Sequence, residues 1–170
     1  MSTGTLRQIL LITDGCSNEG ESPILSAKRA FEAGIVVNVI GVLDEHESEQ
    51  DESYQEITDI ALHGGGISQI VYEEELSQTV QAVTRQAMSQ TLQGFVNKEL
   101  TNILGKEKTI EEVDPEKRGE IIEVVEELGE TCNLEVLILV DTSASMHHKL
   151  PTVKEAVFEL SYNLQARKGK

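Results

Sequence analysis

A chain of 170 residues, 39% hydrophobic and 26% charged, has the length and balance of one compact domain, which excludes an intrinsically disordered chain. A formal net charge of -16 excludes nucleic acid or anionic lipid held by bulk electrostatics. No apolar stretch is long enough to span a bilayer, and the start Met1-Ser-Thr-Gly-Thr-Leu-Arg7 has no signal-peptide pattern, so a cytoplasmic protein is expected.

Aromatic residues are only 4% and Trp is absent, so the core must be built from Ile, Leu and Val. Cys16 and Cys132 are expected as free thiols, and no Cys/His cluster points to zinc. Residues 6–13 read as a first buried strand. Asp14 to Ser22 follow as a polar loop. Ser22-Pro23 is a helix start, with the helix running to about Ala33 and Gly34 ending it. Its apolar residues Ile24, Leu25, Ala27, Ala30 and Phe31 recur at helical spacing. Residues 35–43 are a second buried strand, and the acidic stretch 44–52 is a solvated loop without the spacing of a calcium-binding loop.

A short helix from Ser53 to Leu62 is stopped by Gly64-Gly-Gly66, and residues 67–72 form a third strand near an edge. Leu76, Val80, Val83 and Ala87 share one face of a helix that extends toward Leu100. Residues 101–133 carry ten acidic and four basic residues. Asp114-Pro115 opens a helix there, and Ile121, Ile122, Val124, Val125 and Leu128 give it an apolar stripe. This stretch reads as a helical connector that packs lightly on the domain. Residues 134–140 are a fourth strand. Pro151 opens the last helix, with Val153, Ala156, Val157, Leu160 and Leu164 on one face. Strands alternating with helices predict an α/β fold with a mostly parallel sheet flanked by helices.

Two strand ends carry the chemistry. Leu134–Val140 runs into Asp141-Thr-Ser-Ala-Ser145, and Leu6–Ile12 runs into Thr13-Asp14-Gly15. The carboxyl edge of an open α/β sheet is where such folds place their sites. A carboxylate and two hydroxyls on one turn, Asp141, Ser143 and Ser145, offer converging hard oxygen donors. Asp14 on a neighbouring strand adds charge. Mg²⁺ prefers oxygen and keeps several waters, so few protein groups suffice.

These residues resemble the von Willebrand factor type A family. There, an Asp-x-Ser-x-Ser loop, a Thr from a separate loop and an Asp in a Thr-Asp-Gly turn form a metal-ion-dependent adhesion site. The resemblance implies a Rossmann-like sheet with the two motif strands adjacent. It also implies an Mg²⁺ or Mn²⁺ ion held by Asp141, Ser143, Ser145 and Asp14, directly or through water. The expected partner is a protein that supplies an acidic ligand to the metal. Glu19 and Glu21 are expected to tune the affinity.

The order of the motifs departs from that family, because Asp14 precedes Asp141 by 127 positions (141 − 14). The chain resembles a circularly permuted copy. Residues 1–100 match the C-terminal half, 134–170 match the first strand, metal loop and first helix, and 101–133 form the join. The combination also resembles the uncharacterised YabS-type proteins of spore-forming bacteria, whose motifs fall in this swapped order. The family's hairpin, further helix and Thr-bearing loop have no counterpart. Thr109 falls in the connector and Thr152 at a helix start, so the chain is expected to be a fragment or a shortened copy. That leaves the apolar strand 134–140 at a sheet edge, where self-association is expected.

Other readings of single motifs are plainer. His147-His148 reads as an exposed polar pair, Gly64–Gly66 as a helix stop rather than a phosphate cradle, and Cys16 as a small loop residue. A phosphotransferase using Asp141 as nucleophile with Asp14 on Mg²⁺ is the enzymatic alternative. It lacks a second Asp at position 143 and an evident activating Lys at a strand end.

Overall fold

The computed structural model describes residues 4–15, 19–44, 52–104 and 114–168, with the backbone alone from 99 to 104. Four strands, β1 (Thr5–Thr13), β2 (Val36–Leu43), β3 (Gly65–Tyr72) and β4 (Asn133–Val140), form one sheet in the order β3-β2-β1-β4, every pair parallel. Five helices flank it: α1 (Pro23–Glu32), α2 (Glu52–His63), α3 (Leu76–Leu104), α4 (Pro115–Thr131) and α5 (Leu150–Gln165). The fold is thus of the α/β, Rossmann-like class.

The alternation of side chains along each strand divides the core into layers. Leu10, Ile12, Ile40 and Val42 point to one face and meet Leu76, Val80 and Val83 of α3 and Val153, Ala156 and Leu160 of α5. Val37 and Val39, with Ile9 and Leu11, point to the other face and meet Ala27 of α1 and Ile57, Ile60 and Ala61 of α2. Each fully buried aliphatic side chain contributes on the order of 1.5–3 kcal/mol relative to exposure. α4 is attached by a smaller cluster, Val125 against Leu6, Met88, Leu92 and Cys132, while Ile122, Val124 and Leu128 stay exposed.

The helix starts and stops follow local chemistry. Pro23 sits in the first turn of α1, although Ser22 makes no side-chain capping bond. Gly34 takes φ 82° just past that helix, a left-handed conformation that costs glycine little. Gly65, at φ 65°, makes the turn from α2 into β3. At Gly66 a Cβ would run into the Val37 carbonyl oxygen, so the strand can pass only without a side chain. The glycine run therefore stops a helix and admits a close strand. On α1, Leu25 and Phe31 are exposed despite their helical spacing.

Strand β4 forms one edge of the sheet. Its Val136, Ile138 and Val140 pack on the α3–α5 layer, but Leu137 and Leu139, opposite Ile9 and Leu11 of β1, are 56% and 44% exposed. The α1–α2 layer does not extend over them. Cys16, the acidic stretch 45–51 and Thr109 lie outside the described residues. Among the described residues no helix is long and apolar enough to cross a membrane.

Candidate metal centre

The two motif strands are neighbours, and their ends meet. β1 and β4 pair in register up to Ile12 opposite Val140, and the Asp141 amide continues the pairing by donating to the Ile12 carbonyl at 2.9 Å. Asp141 and Asp14 thereby emerge side by side at the carboxyl edge. A short 3₁₀ turn, Ala144–Met146, folds the serine loop back, and the fully buried Met146 anchors it in the core.

The four residues singled out from the sequence fall into one hydrogen-bonded cluster. The Ser143 amide donates to Asp141 Oδ1 at 2.8 Å, and the Ser143 and Ser145 hydroxyls lie 3.2 Å apart. The Ser145 hydroxyl donates to Asp14 Oδ1 at 3.1 Å. Four oxygen-bearing side chains thus converge from two strand ends, the donor chemistry that a hard divalent cation selects. Burial alone would raise the Asp141 carboxyl. The Ser143 amide and the Thr13 hydroxyl bonded to it outweigh that effect and hold it below its ordinary value.

Several neighbours escaped the sequence reading. Thr13 Oγ1 donates to Asp141 Oδ2 at 2.8 Å, so the Thr of the Thr-Asp-Gly turn orients the carboxylate on the adjacent strand. Lys149, in the loop just before α5, is wholly buried. Its ammonium is 3.4 Å from Asp14 Oδ2, 3.4 Å from Asp44 Oδ2 and 3.0 Å from the Val42 carbonyl. Its position three residues after Met146, and not at a strand end, concealed it. A lysine one turn past a buried anchor can turn back under the sheet edge.

The acidic tuning expected of Glu19 and Glu21 has a specific limit. Glu21 pairs with Arg29 at 2.8 Å on the surface, so its charge is already matched there. His147 and His148 are both exposed, as an exposed pair should be. His148, however, has a partner: its Nε2 lies 2.9 Å from Asp44 Oδ1. Asp44, Glu73 and His148 bring one ligand atom each within 4.8 Å of one another, a group that could hold a metal ion. The His148 hydrogen bond is the main reason the Asp44 carboxyl is held below its ordinary value, and Lys149 adds to it against a smaller effect of burial.

Comparison with known proteins places the chain among relatives. No family model matches it. It is 60% identical over 169 residues to "Uncharacterized protein YabS" of Bacillus subtilis (strain 168), covering 99% of this chain and 69% of that protein. A crystal structure of an uncharacterized protein from Alicyclobacillus acidocaldarius superposes with a TM-score of 0.88 at 45% identity, over 97% of this chain and 70% of that one. With identity this high along nearly its whole length, the chain belongs to the family of YabS.

Proposed function

We propose that this chain is a divalent-cation-dependent protein-binding module of the von Willebrand factor type A kind, circularly permuted, with Mg²⁺ or Mn²⁺ as its ion. The observation that carries the reading is the 3.1 Å hydrogen bond from Ser145 to Asp14, which joins the two motifs across 131 positions. The adjacency of β1 and β4 supports it too. Asp141, Ser143 and Ser145 would hold the ion directly. Asp14 acts through water, because one of its oxygens already faces the Lys149 ammonium. When bound, the ion supplies a positive, partly open coordination sphere to which a partner's carboxylate can add.

On this reading residues 1–100 and 134–170 are two parts of one domain, and 101–133 join its original ends. Domain termini that lie close together make such a rearrangement tolerable. The decisive experiment is thermal unfolding with and without Mg²⁺ or Mn²⁺. Either ion should raise the melting temperature of the wild-type chain and leave Asp141→Ala unmoved. A wild-type chain that responds to neither ion overturns the reading.

One observation favours a second reading. Lys149 places an ammonium against Asp14 and Thr13 a hydroxyl against Asp141, groups of the kind an Asp141-based phosphotransferase would need, and the sequence showed no such lysine. Incubation with an acyl phosphate or a chromogenic phosphate ester separates the two. Turnover that is lost in Asp141→Asn supports the enzyme, and none supports the binding module.

A further inference from the structure

We infer that Asp44, Glu73 and His148 form a second cation site, distinct from the Asp141 cluster and selective for a borderline transition metal such as Zn²⁺. The three residues come from three different elements: the end of β2, the turn after β3 and the approach to α5. Their ligand atoms lie within 4.8 Å of one another. Tetrahedral Zn²⁺ needs such atoms about 3.4 Å apart. Asp44 Oδ1 and His148 Nε2, hydrogen-bonded at 2.9 Å, would part slightly to admit the ion, a small rotation for side chains 37% and 59% exposed.

Charge argues for a cation here. Asp14 and Asp44 each lie 3.4 Å from the buried Lys149 ammonium, and Glu73 stands beside Asp44 in the triad, so three carboxylates meet at this corner of the sheet edge. Holding two carboxylates together costs stability unless positive charge joins them. Glu73 is also oriented from outside the triad, by the Thr152 hydroxyl at 3.1 Å, as a ligating carboxylate usually is. A cavity of about 650 Å³ opens beside the triad, lined by Leu43, Asp44, Tyr72, Glu73, Glu74 and Thr152, with room for water or an anionic ligand on the ion.

The ligand types separate this site from its neighbour. The Asp141 cluster offers oxygen alone, which suits Mg²⁺. The imidazole nitrogen of His148 with two carboxylates suits Zn²⁺. The inference does not depend on the Mg²⁺ reading, and one experiment tests them apart.

Isothermal titration of zinc chloride into the wild-type chain should show one site. His148→Ala and Glu73→Gln should each weaken it about tenfold or more, and Asp141→Ala should leave it intact. Titration of magnesium chloride should show the reverse pattern, lost in Asp141→Ala and kept in His148→Ala. Both zinc-site residues can be changed without touching the core, and circular dichroism of each variant checks that the fold survives. Zinc binding that is absent in the wild type, or that persists unchanged in His148→Ala and Glu73→Gln, overturns the inference whatever magnesium does.

Discussion

The ammonium of Lys149 is sealed against the carboxylate of Asp14, 3.4 Å from Oδ2, with no side-chain surface exposed. Asp14 is itself only 8% exposed, and the same ammonium also faces Asp44 Oδ2 at 3.4 Å and the Val42 carbonyl at 3.0 Å. Removing one partner of a buried pair strands the other. Lys149→Met, which keeps the chain length and removes the charge, should therefore lose about 3 kcal/mol of stability in urea unfolding at neutral pH. The same change should enlarge the Mg²⁺-dependent rise in melting temperature, because Asp14 is freed to face the ion. An unchanged urea midpoint would show that the pair contributes nothing.

Thr13 reaches across from β1 to hold Asp141 Oδ2 at 2.8 Å. A group that orients a metal-binding carboxylate typically controls affinity without touching the ion. Thr13→Val preserves the β-branched shape of a strand residue and removes the hydroxyl. Mg²⁺ affinity, measured by titration calorimetry, should fall about tenfold while the fold is retained. Equal affinity in the variant would assign Thr13 to packing alone.

The sequence carried the elements well and the site partly. The apolar runs at 6–13, 35–43 and 134–140 had no competing reading as strands, but apolarity on both faces does not tell a covered strand from an edge one. Residues 37–42 are covered, whereas Leu137 and Leu139 of β4 are exposed. Leu76, Val80, Val83 and Ala87 are all buried, as their spacing required. Leu25 and Phe31 show the limit: periodicity names a face but not how wide the neighbouring layer is. Asp14, Asp141, Ser143 and Ser145 were legible because strand ends fix where their side chains emerge. Lys149, Asp44 and Glu73 were not, because they meet only through the packing of β2, β3 and the start of α5. Their mutual distances depend on sheet order, which no local pattern encodes.

Acid should unfold the chain through its strand-end carboxylates. Asp141 and Asp44 are both held below their ordinary values in the folded state. Groups with a depressed folded pKa contribute stability that is present above the unfolded value and lost as pH falls through the folded one. In metal-free buffer the melting temperature should therefore drop as pH is taken below about 4. Asp141→Asn should show a shallower drop over the same range. A variant with the wild-type acid profile would place the loss in other carboxylates.

The outer side of β4 leads to the last expectation. Among the described residues no strand pairs with the outer side of β4, Asn-Leu-Glu-Val-Leu-Ile-Leu-Val, and Leu137 and Leu139 add an exposed apolar face beside it. Edges of this kind pair with other chains unless charge or cover prevents it. The polar residue in mid-strand, Glu135, is paired with Arg7 at 2.9 Å and so offers little free charge as a guard. The net charge of -16 opposes association between copies, and salt weakens that opposition. Sedimentation velocity should therefore show self-association that grows with protein concentration and with added salt. Leu137→Lys and Leu139→Lys should suppress it, at a cost within about 0.5 kcal/mol because both side chains are exposed. A sharply monomeric wild-type chain at high concentration and high salt would mean that the edge is protected by some other means.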